Sequence, residues 1–173
     1  YERKRDGYVV LEADGGKTAV PVLADFWHAE RPCLYVLEGG LPKERYQRYH
    51  EEKAKGGIAL TMFGGSSMVA RDSSWGGGQI DMSSDLIIPD LQAFSSRIHR
   101  QGAAIMCQIS HLGRRATSAA MNWLPTVAPS PIRERRHRDI PREMDRNDID
   151  RIIADYAAAA ARCKEGGLDG CET

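Results

Sequence analysis

The chain has 173 residues, 42% of them hydrophobic and 28% charged, a composition typical of one globular domain rather than of a disordered segment. Its 24 Lys and Arg residues balance 24 Asp and Glu residues, and this zero net charge argues against a main role in binding nucleic acid or an anionic membrane. No apolar run is long enough for a transmembrane helix, and the basic start lacks the apolar core of a signal peptide. The scattered cysteines form no C-x-x-C pair, so we expect a cytoplasmic protein with reduced thiols and without a metal site.

The first part of the chain, residues 1–36, differs in pattern from the rest. Its stretch "YVVLEADGGKTAVPVL" carries apolar residues on both sides of a glycine pair. This pattern predicts a β-hairpin with Asp14-Gly15 or Gly15-Gly16 at its turn. We therefore expect an atypical N-terminal segment, followed by the main domain at residues 37–173.

A first helix and a first buried strand come next. Residues 41–57 predict the helix, because Pro42 stands near its start and Gly56-Gly57 supplies its end. The short apolar run "IALTMF", residues 58–63, has the pattern of a strand that is buried on both faces.

The second helix and strand repeat this pattern. Residues 89–102 predict a helix that Gly102 ends, and its buried face consists of Leu91, Phe94, Ser95 and Ile98. Residues 103–109 predict a strand, in which successive side chains point to opposite sides. One side then holds Ile105, Cys107 and Ile109, and the other holds Met106 and Gln108.

The third helix has the strongest pattern. Asp145 is placed to cap it, Asp148 lies in its first turn, and Gly166-Gly167 ends it. Its predicted apolar face consists of Ile149, Ile152, Ile153 and Tyr156. The stretch "LDGCET", residues 168–173, begins a third strand.

Strands that alternate with helices indicate βαβ units and a parallel sheet. Both an open doubly wound sheet and a closed (β/α)₈ barrel use such units, but the sequence contains no G-x-G-x-x-G fingerprint of the open type. The connections at residues 64–89 and 110–144 are long, as in barrels whose loops at the carboxyl ends of the strands hold the active site. We therefore predict an α/β fold, about the first half of a TIM barrel.

The stretch "MCQISHLGRR", residues 106–115, places polar residues at the end of the second strand. A buried glutamine needs hydrogen-bond partners, and the carboxamide of Gln108 both donates and accepts, which suits the edge of a flat heterocycle. His111 would lie at the barrel mouth, with Arg114 and Arg115 available for anionic groups. The alternative is that Gln108 bonds neighbouring backbone, His111 is an ordinary loop residue and the arginines are solvated.

The stretch "CQISHLGRRA" resembles the Q-L-x-H-x-G-R segment of the Old Yellow Enzyme family, the FMN-dependent NAD(P)H oxidoreductases. Three further stretches resemble family segments in the same order, "KAKGGIALTMFGG", "VAPSPI" and "LDGCET". The resemblance covers about residues 37–173. The basic "HLGRR" version is similar to the branch of dienoyl-CoA reductases, amine dehydrogenases and N-demethylases.

This resemblance implies a TIM barrel that binds FMN at the carboxyl ends of its strands. By matched position, Gln108 would bind the pyrimidine edge of the isoalloxazine, and Gly64 would let the flavin approach the backbone closely. His111 and Arg114 would lie in the loop beside the flavin. NAD(P)H would reduce FMN, which passes a hydride to an activated alkene or a similar small-molecule acceptor, or receives one from an amine.

The first 36 residues depart from the family pattern, since only Pro32-Cys33 is similar to its P-M-C segment. A cysteine near the flavin would tune its potential, although Cys33 also fits an ordinary buried or surface cysteine. The sequence stops before the family's H-x-x-(H/N) pair, so we expect an inactive fragment that is completed by a missing C-terminal half or by a homo-oligomer. The alternatives are a non-catalytic flavodomain or assembly module, and an unrelated barrel that acts on a phosphorylated substrate.

Three other features of the sequence each allow a functional and a structural interpretation. The basic run "RERRHRD", residues 133–139, fits an anion, CoA-phosphate or dimer contact, or else a solvated loop face. Trp75 either covers a substrate pocket from a mobile loop or anchors local packing. Asp169 and Glu172 point to opposite sides of one strand, so a joint acid/base role is not expected.

Overall fold

The computed structural model of the chain describes residues 40–74, 79–117, 124–136 and 138–173, together with the backbone of three strands near the N-terminus. These strands are β1 (Glu2–Arg3), β2 (Tyr8–Ala13) and β3 (Gly16–Pro21), and they form an antiparallel sheet in the order β1-β2-β3. Ala13 pairs with Gly16, which is the pairing of a hairpin. The predicted division at residue 36 stays a prediction.

The main sheet begins after the first long helix. Helix α1 (Glu44–Lys55) starts after Pro42 and ends at Gly56, as predicted. Strand β4 (Leu60–Met68) follows it and is longer than the predicted "IALTMF", because it continues through the glycine pair to Met68.

Helix α2 (Ile88–His99) and strand β5 (Ala104–Ser110) follow the sequence prediction closely. The four side chains of the predicted face of α2 are all buried. Strand β5 alternates as predicted, with Ile105, Cys107 and Ile109 buried and the residues between them only half-buried.

Two short strands, β6 (Val127–Ala128) and β7 (Arg142–Glu143), pair in parallel within the connection that leads to helix α3 (Arg146–Glu165). The Asp145 side chain accepts a hydrogen bond from the Asp148 N–H, and the Asp148 side chain accepts one from the Asp145 N–H, so a complete capping box starts the helix. Strand β8 (Gly170–Glu172) then follows.

The predicted apolar face of α3 was wrong in part. Ile149 and Ile153 are exposed, Ile153 by 62%, whereas Ala159 and Cys163 are the buried residues of the helix. Small side chains on this face let α3 lie close to the sheet and to α2: a Cβ added at Gly166, just past the helix end, would collide with the Leu91 side chain.

The central sheet has the strand order β4-β5-β8, and both pairs of strands are parallel. The buried side chains of β4 and β5 lie in one core cluster with those of the three helices. The opposite face is open: Leu60 is 45% exposed and Met62 is 42% exposed. One covered face and one open face are expected for consecutive strands of a barrel, whose inner face points away from the helices.

His50, a residue of α1, points into the core and is buried there. Its ring contacts those of Tyr46, Phe63 and Phe94, and its Nδ1 atom lies 2.7 Å from Thr61 Oγ1. Burial, assisted by the charge of Lys53, lowers the pKa of His50 to about 3. This histidine is therefore neutral at physiological pH.

None of the helices in the described ranges is long and apolar enough to cross a membrane.

Candidate functional site

Strand β4 carries a wide bulge opposite Gln108. Phe63 pairs with Cys107 and Ser67 pairs with Ile109, so the backbone of residues 64–66 lies opposite the single residue Gln108. Gly64 and Gly65 in this bulge have φ angles of 112° and 56°. Bulges of this kind redirect the backbone next to active sites, and here the bulge lies at the carboxyl end of the strand.

Gly64 lies directly against the Gln108 backbone. A Cβ at Gly64 would lie 2.7 Å from Gln108 O, closer than a Cβ approaches a backbone atom, and 3.3 Å from Gln108 N, a tight contact. The Gly64 N–H donates to the Tyr46 hydroxyl at 3.4 Å. The bulge therefore requires glycine at this position, both for its φ angle and for this close approach.

The Gln108 side chain points to the open face of the sheet, on the same side as Met106, which is the side that the sequence predicted. Its Nε2 atom donates to Glu172 Oε1 at 2.8 Å. Ser110, two residues on, has a buried hydroxyl without a hydrogen-bond partner among the residues that the structure describes. The open face thus combines a carboxamide, a carboxylate and a buried hydroxyl with the apolar side chains of Met62 and Met106.

Glu172 was not predicted as a neighbour of Gln108. The sequence suggests Glu172 only as a partner for Asp169, a pairing that is not expected and that is absent from the described residues. Asp169 Oδ2 instead accepts hydrogen bonds from the Ile105 N–H and lies 2.8 Å from His99 Nε2, near the start of β5. Glu172 lies beside Gln108 because β8 pairs in parallel with β5 in this register, which the local sequence pattern does not encode.

The His111 side chain points to the helix-covered side rather than to the open face. It is 5% exposed, and its Nδ1 atom accepts a hydrogen bond from the Gly113 N–H at 3.1 Å. The His111 N–H donates to the Tyr156 hydroxyl on α3 at 2.7 Å. Nε2 lies 3.4 Å from Asp72 Oδ1 and has no hydrogen bond within the described parts of the chain.

Asp72 links the loop after β4 to helix α3. Its carboxylate accepts hydrogen bonds from both terminal nitrogens of Arg151, at 2.6 and 3.3 Å. Burial acts to raise the pKa of Asp72, but the contacts with His111 and Arg151 outweigh it and lower this pKa to about 2. Asp72 is therefore a permanent anion that fixes the loop carrying His111.

Arg114 lies in a 3₁₀ turn, Gly113–Arg115, and its side chain is exposed. Across residues 40–74, 79–117, 124–136 and 138–173, no His, Cys, Asp or Glu cluster could hold a metal ion. Cys33 and Trp75 lie outside the described residues, so their predicted roles stay predictions. The site therefore brings together Gln108 and Gly64, with His111 behind them and Arg114 at the edge.

The sequence model described as the NADH:flavin oxidoreductase / NADH oxidase family matches residues 32–173. Over 146 residues the chain is 58% identical to the multifunctional alkene reductase/demethylase OYE of Caballeronia cordobensis, covering 84% of this chain and 21% of that protein. Over 135 residues it is 47% identical to a probable N-methylproline demethylase of Rhizobium meliloti, covering 78% of this chain and 20% of that protein. The chain thus spans about a fifth of the length of each of these two relatives.

Solved structures confirm the predicted fold. Morphinone reductase in complex with tetrahydroNAD superposes with a TM-score of 0.72 at 18% identity, over 79% of this chain and 41% of that one. Old Yellow Enzyme from Pichia sp. AKU4542 gives a TM-score of 0.66 at 19% identity, over 72% of this chain and 35% of that one. About three quarters of the chain therefore corresponds to part of an α/β barrel.

Proposed function

Because the chain belongs to the NADH:flavin oxidoreductase / NADH oxidase family, we propose that its open sheet face binds the isoalloxazine of FMN. The protein would transfer a hydride between NAD(P)H, FMN and a small-molecule substrate. The observation that carries this proposal is the Gln108 carboxamide on that face, which bonds Glu172 beside the Gly64 bulge.

The residues of this face fit a flavin. Glycine at position 64 keeps the β4 bulge packed against the Gln108 backbone, at the strand end where the ring would lie. The Gln108 carboxamide can donate to a carbonyl and accept from an N–H, the two groups that a flavin pyrimidine edge presents. Met62 and Met106 offer apolar, polarizable surface to the ring, and the orphaned Ser110 hydroxyl gains a partner if a polar ligand group reaches it.

Bound FMN supplies the hydride chemistry. The role of this chain is to hold and orient the ring: Gln108 fixes its pyrimidine edge, and the hydrogen bond to Glu172 holds the carboxamide in place. The Asp72, His111 and Tyr156 contacts brace the loop after β5 from behind, so that the strand end keeps its position. His111 acts here as a positioning residue, because its side chain faces α3.

The proposed substrates follow the names of the relatives. The Caballeronia protein is named for both alkene reduction and demethylation, and the Rhizobium protein for N-methylproline demethylation. We expect this protein to reduce an activated alkene or to oxidise an N-methyl amine. Arg114 and Trp75 would then contact substrate at the rim, and Cys33 would lie near the flavin.

The remaining predictions belong to the same proposal. The site would be completed by a C-terminal half or by another subunit of a homo-oligomer, and residues 1–173 alone would be inactive. We expect a cytoplasmic protein that binds neither nucleic acid nor a membrane, in line with the equal numbers of acidic and basic residues.

Reconstitution with FMN of this chain, together with the C-terminal half or subunit that completes its site, tests the proposal. We expect a yellow protein whose flavin absorbance near ~450 nm bleaches when NADH or NADPH is added without oxygen. Gln108→Ala should weaken FMN binding roughly five- to 150-fold, because the lost partners are worth about 1–3 kcal/mol. Gln92→Ala is the matched control, since Gln92 is an exposed glutamine on α2 that bonds Glu165 O. A protein that binds no FMN, or equal affinities in the two variants, would refute the proposal.

A further inference from the structure

The Glu172 carboxylate lies on the open face of the sheet, beside Gln108. The two residues are register partners in the parallel pair of β5 and β8, so their side chains point to the same side. Gly170, two residues earlier in β8, supports this orientation, because a Cβ added there would lie 3.1 Å from the Met106 Cε atom on the open face. The register thus places a carboxylate at the edge of the proposed flavin site.

The charge of Glu172 differs from that of the acidic residues in the helix layer. Asp72, for example, is neutralised by an ion pair with Arg151 at 2.6 Å. Glu172 accepts a hydrogen bond from the neutral Gln108 carboxamide at 2.8 Å, and it forms no ion pair with any residue in the described ranges. Within those ranges, the open face therefore carries a negative charge that no neighbouring cation compensates.

The Gln108 carboxamide connects this charge to the ring that the face is proposed to bind. Its Nε2 atom donates to Glu172, and the same group carries the oxygen that suits an N–H of the flavin pyrimidine edge. Two hydrogen bonds and the width of the amide then separate the carboxylate from the ring, a distance of about 6–8 Å. This distance is shorter than the Debye length of about 10 Å in about 0.1 M salt, so the charge acts on the ring without full screening.

A fixed negative charge affects the two oxidation states of a flavin unequally. Reduction adds electrons to the ring, and the reduced ring carries more negative charge near its pyrimidine edge than the oxidised ring does. A carboxylate at this edge therefore repels the reduced ring more strongly. The consequence is a lower reduction potential, at which the reduced flavin gives up its hydride more readily.

We propose that Glu172 lowers the reduction potential of the bound FMN and thereby biases this protein toward reducing an activated alkene rather than oxidising an N-methyl amine. In that direction NAD(P)H is oxidised and the alkene is reduced: one hydride passes through FMN to one alkene carbon, and a proton from solvent adds to the other. The inference rests on the proposed function, because it assumes that FMN lies on the open face with its pyrimidine edge at Gln108. Glu172 acts through Gln108 and through its charge, so it is a positioning residue.

The potential of the bound flavin tests this inference without any turnover. Glu172→Gln removes the charge and keeps an oxygen that accepts from Gln108 Nε2. The measurement is equilibration with a reference dye, on FMN bound to this chain together with the C-terminal half or subunit that completes its site. At a given poise we expect the ratio of reduced to oxidised FMN to rise about tenfold in the variant, or about 30 mV for a two-electron couple.

Stopped-flow kinetics separates a change in potential from a structural defect. If half of the tenfold effect appears in each rate, reduction of FMN by NAD(P)H should become about threefold faster in Glu172→Gln and reoxidation by an activated alkene about threefold slower. A side chain that only supports the structure would slow both steps when it is replaced. Opposite changes in the two rates are therefore the expected result.

Glu165→Gln is the matched control, because Glu165 is an exposed glutamate at the end of α3, in the helix layer. It should leave the potential and both rates unchanged. An unchanged potential in Glu172→Gln, an equal shift in Glu165→Gln, or a slowing of both rates would overturn the inference while the flavin proposal stands. A protein that binds no FMN even when its site is complete would overturn the proposed function itself.

Discussion

Replacing Gly64 with alanine perturbs the site where its geometry is tightest. Gly64 has a φ angle of 112°, which L-residues rarely adopt, and a new Cβ would lie 2.7 Å from Gln108 O. Backbone strain of this type costs about 1–3 kcal/mol, and displacing the Gln108 backbone adds to it, so we expect a loss of about 2–4 kcal/mol. At about 2–4 °C per kcal/mol for a chain of this size, the Tm should fall by about 4–16 °C.

Gly65→Ala is the matched control within the same bulge. Gly65 has a φ angle of 56°, and no atom lies within 4 Å of the position of an added Cβ. This variant should lose only about 1 kcal/mol, the cost of a left-handed residue, or about 2–4 °C in Tm. Thermal unfolding followed by circular dichroism measures both losses, and fluorescence titration with FMN measures affinity. If Gly64→Ala is no less stable and binds FMN no more weakly than Gly65→Ala, the close approach of the two strands is not what the site depends on.

Three further changes test other parts of the structure. Gln108→Glu should weaken FMN binding at least as much as the alanine variant, because a carboxylate cannot donate to a flavin carbonyl and would repel Glu172; FMN titration at pH 7 checks this. Folding lowers the pKa of His50 from 6.5 to about 3, so between these pH values the unfolded chain binds one proton more than the folded chain. The contribution of neutral His50 to stability is therefore complete above about pH 6.5 and is lost as the pH falls toward 3. Urea unfolding at several pH values measures this slope, which should be shallower in His50→Gln. Asp72→Asn should lower stability by about 1–3 kcal/mol at pH 7, because Arg151 loses one of its two charged partners and keeps only Asp155. The wild-type protein should lose stability as Asp72 becomes protonated between about pH 4 and its folded pKa of about 2, and Asp72→Asn should lack this loss. If the free energy of unfolding depends on acid pH in the same way in both proteins, the Asp72–Arg151 pair contributes nothing to stability.

The sequence predicted helices and strands most accurately where a periodic pattern of apolar residues packs against a single surface. The buried face of α2 and the alternation along β5 followed from spacing alone, because both elements are covered from a single side. Helix α3 did not follow, since the spacing predicts that its large isoleucines form the buried face. The packed face consists instead of small residues, Ala159 and Cys163, and hydrophobicity scales rank these below Ile149 and Ile153.

The candidate site was predictable in its residues but not in its geometry. The strand face of Gln108 followed from alternation, and the same alternation turns His111 to the helix-covered side, although it was expected at the barrel mouth. The glycine pair after Phe63 was interpreted as the start of a loop, whereas it forms a bulge within β4. The neighbourhood of Glu172 depends on the register between two strands, and no local pattern encodes that register.

A crystal structure of the full chain with bound FMN tests the central claim most directly. The account predicts that the flavin lies on the open face of β4 and β5, with the Gln108 carboxamide within hydrogen-bond distance, about 3 Å, of the pyrimidine edge of the isoalloxazine and with the ring passing over Gly64. A flavin bound elsewhere, or a Gln108 side chain that makes no contact with it, would contradict the account.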